Sequence, residues 1–115
     1  MTFRVQFRMR VYRDDGIAVG PGKIALVEAI AETGSISAAA RSLGMSYRRA
    51  WLLVDELNRS MKSPAVVGSV GGRHGGGATV TATGHELVKR YRAIEDTSRE
   101  AAARDIAALV RMLSA

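Results

Sequence analysis

The stretch that decides the fold runs from Thr33 to Met61 and reads TGSISAAARSLGMSYRRAWLLVDELNRSM. It predicts two helices joined by a tight turn. Ser37 can cap a short alanine-rich helix over residues 38–43, and Ser46 can cap a second helix that continues to the end of the stretch. Gly44 lies between them, where a tight turn often needs the positive φ that glycine adopts without strain. The inward face of the second helix then consists of Ala50, Val54 and Leu57.

A glycine-rich segment follows this helix pair after a short interval. Residues 71–77 read GGRHGGG, and the β-prone runs 65–70 and 78–81 flank them. Two short strands around such a loop predict a β-hairpin with a loose, positively charged tip. A hairpin directly after two helices of this kind is a wing, so the sequence predicts a winged helix-turn-helix.

The N-terminal part of the chain predicts a second hairpin. Residues 3–12 alternate between apolar and polar side chains, which is typical of a half-buried strand. Residues 14–16 read DDG and predict a turn, and residues 17–19 can form a short returning strand. A broad apolar face then predicts a helix over residues 23–32, which Gly34 ends.

The C-terminal part predicts one long helix. Thr83 and Glu86 have the spacing of a capping box, and apolar positions continue to about Leu113. A lone helix of this length leaves its apolar stripe in water, which favours a homodimer, with packing back on its own domain as the alternative. The predicted fold class is α+β, mainly α, with one structural domain in three parts: an N-terminal β-hairpin (1–20), a winged helix-turn-helix (21–82) and a C-terminal dimerisation helix (83–115).

Composition narrows the class of protein. With 115 residues the chain can bury one small core, and its net charge of +6 and isoelectric point of about 10.5 favour a polyanionic partner, most commonly nucleic acid. A basic protein with a merely solvated surface is the alternative. There are no cysteines, which excludes disulfides and cysteine-ligated zinc. No apolar run is long enough for a membrane span and no secretory signal begins the chain, so we expect a cytoplasmic protein without a membrane partner.

The first turn of the second helix carries the side chains that suit a DNA groove. Ser46, Tyr47, Arg48 and Arg49 are polar and rich in hydrogen-bond donors. Arginine binds guanine O6 and N7 with two hydrogen bonds and also clamps phosphate. The alternative is two solvated arginines on a helix surface. Trp51 is adjacent to the inward face, so we expect it to be partly buried and structural.

Two other groups of residues suit the DNA backbone. Ser35 and Ser37 begin the preceding helix, where hydroxyls and free backbone N–H groups can bind phosphate, although a plain helix cap explains them as well. Arg73 and His74 lie at the wing tip among glycines, where the backbone can approach phosphates and Arg73 can enter a narrow minor groove. The alternative for the tip is a disordered surface loop.

Four segments together resemble the N-terminal DNA-binding domain of the molybdate-responsive ModE-type regulators and, more distantly, the winged helix-turn-helix of LysR-type regulators. The resemblance covers about residues 20–95 and is carried by TGSISAAA (33–40), LGMSYRRAW (43–51), GGRHGGGA (71–78) and LVKRY (87–91). It implies a dimer formed through the first and last helices, an inverted-repeat operator, a groove-facing Ser46–Arg49 turn and backbone contacts from Arg73. Full-length members carry C-terminal molybdate-binding domains that 115 residues cannot accommodate, so no molybdate binding is expected in this chain.

The predicted function is therefore sequence-specific binding of double-stranded DNA by a transcriptional regulator that acts as a homodimer on a pseudo-palindromic operator. The alternative is a winged-helix module that pairs with a larger regulator, which the apolar run 51–53 and the arginine-bearing N-terminal strand suggest. An enzyme is disfavoured because His74 and His85 are the only histidines and neither is near an acidic cluster. No catalytic residue, metal or cofactor is expected.

Overall fold

The computed structural model describes residues 2–69 and 77–114. Over these residues the mainly helical α+β architecture agrees with the predicted class. Five helices and two antiparallel two-stranded sheets follow one another as β1 (Val11–Arg13), β2 (Gly16–Val19), α1 (Pro21–Thr33), α2 (Ile36–Ser42), α3 (Tyr47–Ser60), β3 (Val66–Ser69), β4 (Gly77–Val80), α4 (Ala82–Ala101) and α5 (Ala103–Arg111).

The core lies where α1, α2 and α3 meet the strands β3 and β4. Helix α1 is its centre, because it is covered on nearly every side and contributes large side chains that are almost fully buried. Burying one such side chain contributes about 1.5–3 kcal/mol. Alanines on α2 and α3 let the three helices approach closely. The core residues include Leu26, Val27, Ile30, Ala39, Ala40, Ala50, Val54, Leu57, Ala65, Val66, Ala78 and Val80.

Two glycines set the angles between these helices, as the sequence predicts. Gly34 ends α1 with a φ of 72°, and Gly44 has a φ of 69° in the turn between α2 and α3. The predicted cap of α2 is wrong: Ser35, and not Ser37, accepts a hydrogen bond from the backbone N–H of Ala38 at 3.1 Å. Helix α2 begins directly after Ser35, so that Ser37 falls inside its first turn.

The N-terminal hairpin is shorter than the alternating pattern predicts. Only Val11–Arg13 pairs with β2, across a turn in which Asp14 has a φ of 53°. The prediction of a strand over residues 3–12 is otherwise wrong, and Phe3 and Val5 remain 41% and 42% exposed. Alternation indicates which side chains share a face, but a strand also needs a neighbour for its backbone hydrogen bonds, and β2 extends only as far as Val19.

Phe7 and Met9 nevertheless contact the body of the domain. The Tyr91 hydroxyl on α4 donates to the Met9 carbonyl at 2.7 Å, and the Arg99 guanidinium lies 5.7 Å from the centre of the Phe7 ring. On the other side of the hairpin, the buried Lys23 ammonium donates to the Ile17 carbonyl. These contacts fix the N-terminal segment beside α1 and α4.

The C-terminal helix differs from the prediction at both ends. Its cap is Thr81, whose hydroxyl accepts from the Gly84 N–H at 3.0 Å, so the helix begins two residues before the predicted cap and the capping box predicted at Thr83 is wrong. Glu86 does not reach back to the cap and forms an ion pair with Arg90 instead. The single helix predicted to Leu113 is interrupted at Ala102. The surrounding residues are alanine-rich, so local helix propensity does not account for this break.

Helices α4 and α5 carry an apolar surface that their own domain leaves uncovered. The radius of gyration is 16.8 Å, against about 13 Å for a compact chain of this length, and α5 has no buried residue. The alternative in which this segment packs back on its own domain holds for the first part of α4, where Tyr91 is buried and Leu87 and Val88 pack against the core, but not for α5. Its exposed large apolar side chains are Ile94, Leu109, Met112 and Leu113.

Candidate nucleic-acid interface

The first turn of α3 is fixed by its cap and by its buried face. The Ser46 hydroxyl accepts from the Arg49 N–H at 3.1 Å, as the sequence predicts. Ala50, Val54 and Leu57 pack into the core, which confirms the predicted inward face. With that face inside, helical geometry turns the intervening residues of the first turn outwards.

Three side chains of this turn project into solvent. Arg48 and Arg49 are exposed, and Tyr47 is 57% exposed. Across residues 2–69 and 77–114, no carboxylate forms an ion pair with either arginine. Their guanidinium donors are therefore available to a ligand from outside this part of the chain.

The base of the wing lies beside the start of α2. Strands β3 and β4 pair in a regular antiparallel register, and the backbone of Ser35 pairs with Gly77 in an isolated bridge. The Ala78 N–H also donates to the Gly34 carbonyl at 2.9 Å. Ser35 thus joins the helix-turn-helix to the wing, and Ser37 is exposed next to it. The predicted tip residues Arg73 and His74 lie outside the described residues.

The N-terminal segment adds positive charge next to α3. Arg8 and Arg10 line one open cavity of about 480 Å³ together with Arg49, at the start of α1. Lys23 and Glu56 form an ion pair at 3.6 Å at the same place. The alternating N-terminal sequence therefore brings two of its arginines to the side of the recognition helix, a placement that sequence reasoning did not find.

The described part of the chain offers little to other site classes. Among residues 2–69 and 77–114, no three His, Cys, Asp or Glu side chains are close enough to hold a metal ion. Within the same ranges, no helix combines the length and the apolar character that crossing a bilayer requires.

Comparison with known proteins places the helix-turn-helix in a family. A family model described as bacterial regulatory helix-turn-helix protein, lysR family, matches residues 22–85. The chain belongs to this family. The predicted class of regulatory helix-turn-helix protein is thereby confirmed, and the protein-interaction alternative is not favoured.

Relatives of this lysR-family chain include ModE-type proteins, as the sequence resemblance predicts. It is 46% identical over 80 residues to the molybdenum-pterin-binding protein MopB of Rhodobacter capsulatus, covering 70% of this chain and 30% of MopB. It is 42% identical over 88 residues to the molybdenum transport protein ModE of Azotobacter vinelandii, covering 76% and 33% of the two chains. The chain thus spans about a third of the length of these relatives.

Solved structures agree with the fold. The crystal structure of a CbnR_DBD-DNA complex is similar with a TM-score of 0.60 and 24% identity, covering 76% of this chain and 95% of that one. ArgP from Mycobacterium tuberculosis gives a TM-score of 0.53 and 21% identity, covering 73% and 30%. At these identities the likeness concerns the winged-helix fold alone.

Two residues of this lysR-family domain gain importance from the structure. Trp51, expected to be partly buried and structural, is 47% exposed beside the wing. Asn58, which sequence reasoning passed over, holds the wing to α3: its Oδ1 accepts from the Ala65 N–H at 2.8 Å, and its Nδ2 donates to the Val66 carbonyl at 2.9 Å. The available signal was an asparagine inside a helix, where it is disfavoured unless its amide binds backbone elsewhere.

Proposed function

We propose that this chain binds double-stranded DNA sequence-specifically as a homodimer, with α3 in the major groove. The observation that carries the proposal is the outward-facing first turn of α3, where Tyr47, Arg48 and Arg49 project from a helix whose opposite face is locked in the core. A recognition helix needs this division between a packed inner face and a donor-rich outer face. The role is one of binding and not of catalysis, in the cytoplasm where bacterial DNA lies.

The residues of the interface have distinct tasks in this proposal. Arg48 and Arg49 read base edges, preferably guanine O6 and N7, and each good two-pronged contact contributes about 1–3 kcal/mol of discrimination. Ser46 and Tyr47 offer hydroxyls to phosphate or to a base edge. The start of α2 and the wing hold the backbone on either side of the groove. Phosphate contacts of this kind set the register of the helix on the duplex without reading its sequence. The residues that make them are Ser35, Ser37, Arg73 and His74.

A second copy completes the DNA-binding unit. The segment 83–115 acts as the dimerisation element, because α4 and α5 expose large apolar side chains that an isolated protomer leaves in water, Leu109 at 57% and Met112 at 84%. The hairpin 1–20 and the winged helix-turn-helix 21–82 complete the protomer. A two-fold dimer presents two α3 helices to half-sites about 34–36 Å apart, which matches a pseudo-palindromic operator.

The proposal is tested by comparing two arginine variants on two DNA duplexes. One duplex is selected from random sequences by the wild-type chain, and the other is its scrambled counterpart. Arg49→Ala is expected to lower the preference for the selected duplex about 30-fold or more, because the homodimer loses one base-specific contact of about 1–3 kcal/mol in each of its two half-sites. Arg73→Ala is expected to weaken binding to both duplexes alike and to reduce the slope of log affinity against log salt by about 1.8, because each of the two protomers loses one phosphate contact.

Arg4→Ala is the matched control, since Arg4 is exposed in the N-terminal segment and lies outside α3, the wing and the dimerisation element. It should change the preference for the selected duplex less than either test variant. If the Arg49 and Arg73 variants bind each duplex as the wild type does, the assignment of these residues is wrong. If the wild type selects no sequence at all, the proposed function itself is wrong.

A further inference from the structure

An aromatic stripe runs along α3 next to the basic first turn. Tyr47 and Trp51 are four residues apart and therefore lie on one side of the helix. They are 57% and 47% exposed, and Val67 on β3 is 40% exposed across from them. Between helix and wing the three side chains line an open groove of about 300 Å³.

The walls of this groove are held in place by backbone contacts. Asn58 binds α3 to β3 through its two amide atoms, at 2.8 Å and 2.9 Å. The bridge from Ser35 to Gly77 binds β4 to the start of α2. The backbone that lines the groove is therefore already ordered, and binding of an occupant does not have to order it.

Packing among residues 2–69 and 77–114 does not explain Trp51. The face of α3 that enters the core consists of Ala50, Val54 and Leu57, and Trp51 is absent from the buried cluster. A large aromatic side chain that is nearly half exposed to water is stabilised when a neighbouring surface covers it. The stripe is continuous with Arg48 on the outer face of the recognition helix, which the proposed function places against DNA.

We propose that Trp51 recognises thymine by packing its indole ring against the C5-methyl group in the major groove. The inference rests on the proposed function, and it names a base that the arginines do not read. The thymine methyl is the apolar group that base edges present in the major groove, whereas the other positions are hydrogen-bond donors and acceptors. The Tyr47 ring lies one helical turn away and covers the same side of the groove.

Fluorescence gives the first test, because Trp51 is the only tryptophan of the chain. Adding the duplex that the wild type selects should shift the emission maximum to shorter wavelength, as water leaves the indole ring. A scrambled duplex at the same salt should produce a smaller shift. An unchanged spectrum under saturating selected duplex contradicts the proposal and points instead to a protein partner for this groove.

Replacing thymine by deoxyuridine gives the decisive test, because only the methyl group is removed. One substitution per half-site removes two methyl groups from the operator of the dimer and should lower wild-type affinity about 15-fold, about fourfold for each buried methyl-sized group, while the other positions should not respond. Trp51→Ala should bind the thymine duplex more weakly and should no longer distinguish the two bases at that position. Trp51→Phe, which keeps an apolar ring, should retain part of the preference.

Tyr12→Ala is the matched aromatic control, because Tyr12 is 59% exposed on the N-terminal hairpin. Its variant should keep the wild-type thymine preference. Circular dichroism must show that each variant keeps the helical content of the wild type. If wild-type binding is specific but no deoxyuridine position depends on Trp51, for example because the ring packs on deoxyribose, this inference fails while the proposed function stands.

Discussion

The amide of Asn58 links the recognition helix to the wing through three hydrogen bonds, and its removal has a calculable cost. Asn58→Ala deletes the hydrogen bonds to Ala65 N–H (2.8 Å) and Val66 carbonyl (2.9 Å), and a longer one to Val66 N–H (3.3 Å). Each well-formed bond contributes about 0.5–1.5 kcal/mol net. Ala65 and Val66 are buried, so water replaces the lost partners poorly.

Alanine is the better helix former, which offsets about 0.5 kcal/mol of this loss. The hydrogen bonds outweigh the propensity, and we expect the free energy of unfolding to fall by about 2 kcal/mol. Urea denaturation at one fixed protein concentration should show the midpoint lowered by about 1–2 M with an unchanged slope.

Two variants make the result specific to the amide. Asn58→Asp keeps an acceptor for the two N–H groups but loses the donor to the Val66 carbonyl, so its midpoint should lie between those of the wild type and Asn58→Ala. Arg4→Ala changes an exposed position in the N-terminal segment, outside the dimerisation element, and should alter stability by less than about 0.5 kcal/mol. A wild-type midpoint for Asn58→Ala would refute the assignment of Asn58 as the link to the wing.

Three further substitutions test other contacts of the fold. Gly84→Ala should destabilise by about 1–3 kcal/mol in urea although alanine favours helices, because a Cβ there overlaps the Ala65 carbonyl. Tyr91→Phe should cost about 1 kcal/mol at neutral pH, since the bond to the Met9 carbonyl is lost. Burial raises the pKa of Tyr91 above 10.0 in the folded state. The stability that the protonated Tyr91 hydroxyl contributes is therefore fully present below pH 10.0 and is lost as pH rises through the folded pKa. The Tyr91→Phe variant should not show this loss of stability at alkaline pH. Arg92→Ala should lower the free energy of unfolding by about 1 kcal/mol in low salt and by less in high salt, because the ion pairs of Arg92 with Glu28 on α1 and Glu95 on α4 are partly exposed.

For each of these three substitutions, one outcome would contradict the expected effect. A Gly84→Ala protein as stable as the wild type means that the backbone of the wing base yields. Identical alkaline profiles for the wild type and Tyr91→Phe mean that another group controls stability there. An Arg92→Ala effect that salt leaves unchanged points to lost packing of the arginine side chain rather than to lost charge.

The helix-turn-helix was predictable because its signals are local. Ser46 caps α3, Gly44 adopts the positive φ, and three apolar residues at helical spacing enter the core, all as the sequence indicates. Such features depend on neighbours within four residues. The choice of Ser35 over Ser37 as a cap was harder, because both hydroxyls suit a helix start and only the wing strand beside Ser35 distinguishes them.

The features that depend on distant partners were not predictable. The alternation of residues 3–12 indicates a strand, yet β2 is too short to pair with all of it. The exposure of Trp51 depends on the position of the wing, and the role of Asn58 depends on β3. The cap of α4 at Thr81 also forms together with the wing, since the Thr81 hydroxyl donates to the Pro64 carbonyl at 2.7 Å.

The most direct test of the DNA-binding account is a hydroxyl-radical footprint of the wild-type chain on the duplex that it selects. We predict two symmetric half-sites with centres about 34–36 Å apart, protected at the same protein concentration. Arg49→Ala should lose the footprint at concentrations that saturate the wild type. A single protected half-site, or a pattern independent of Arg49, would contradict a dimer that reads DNA through the first turn of α3.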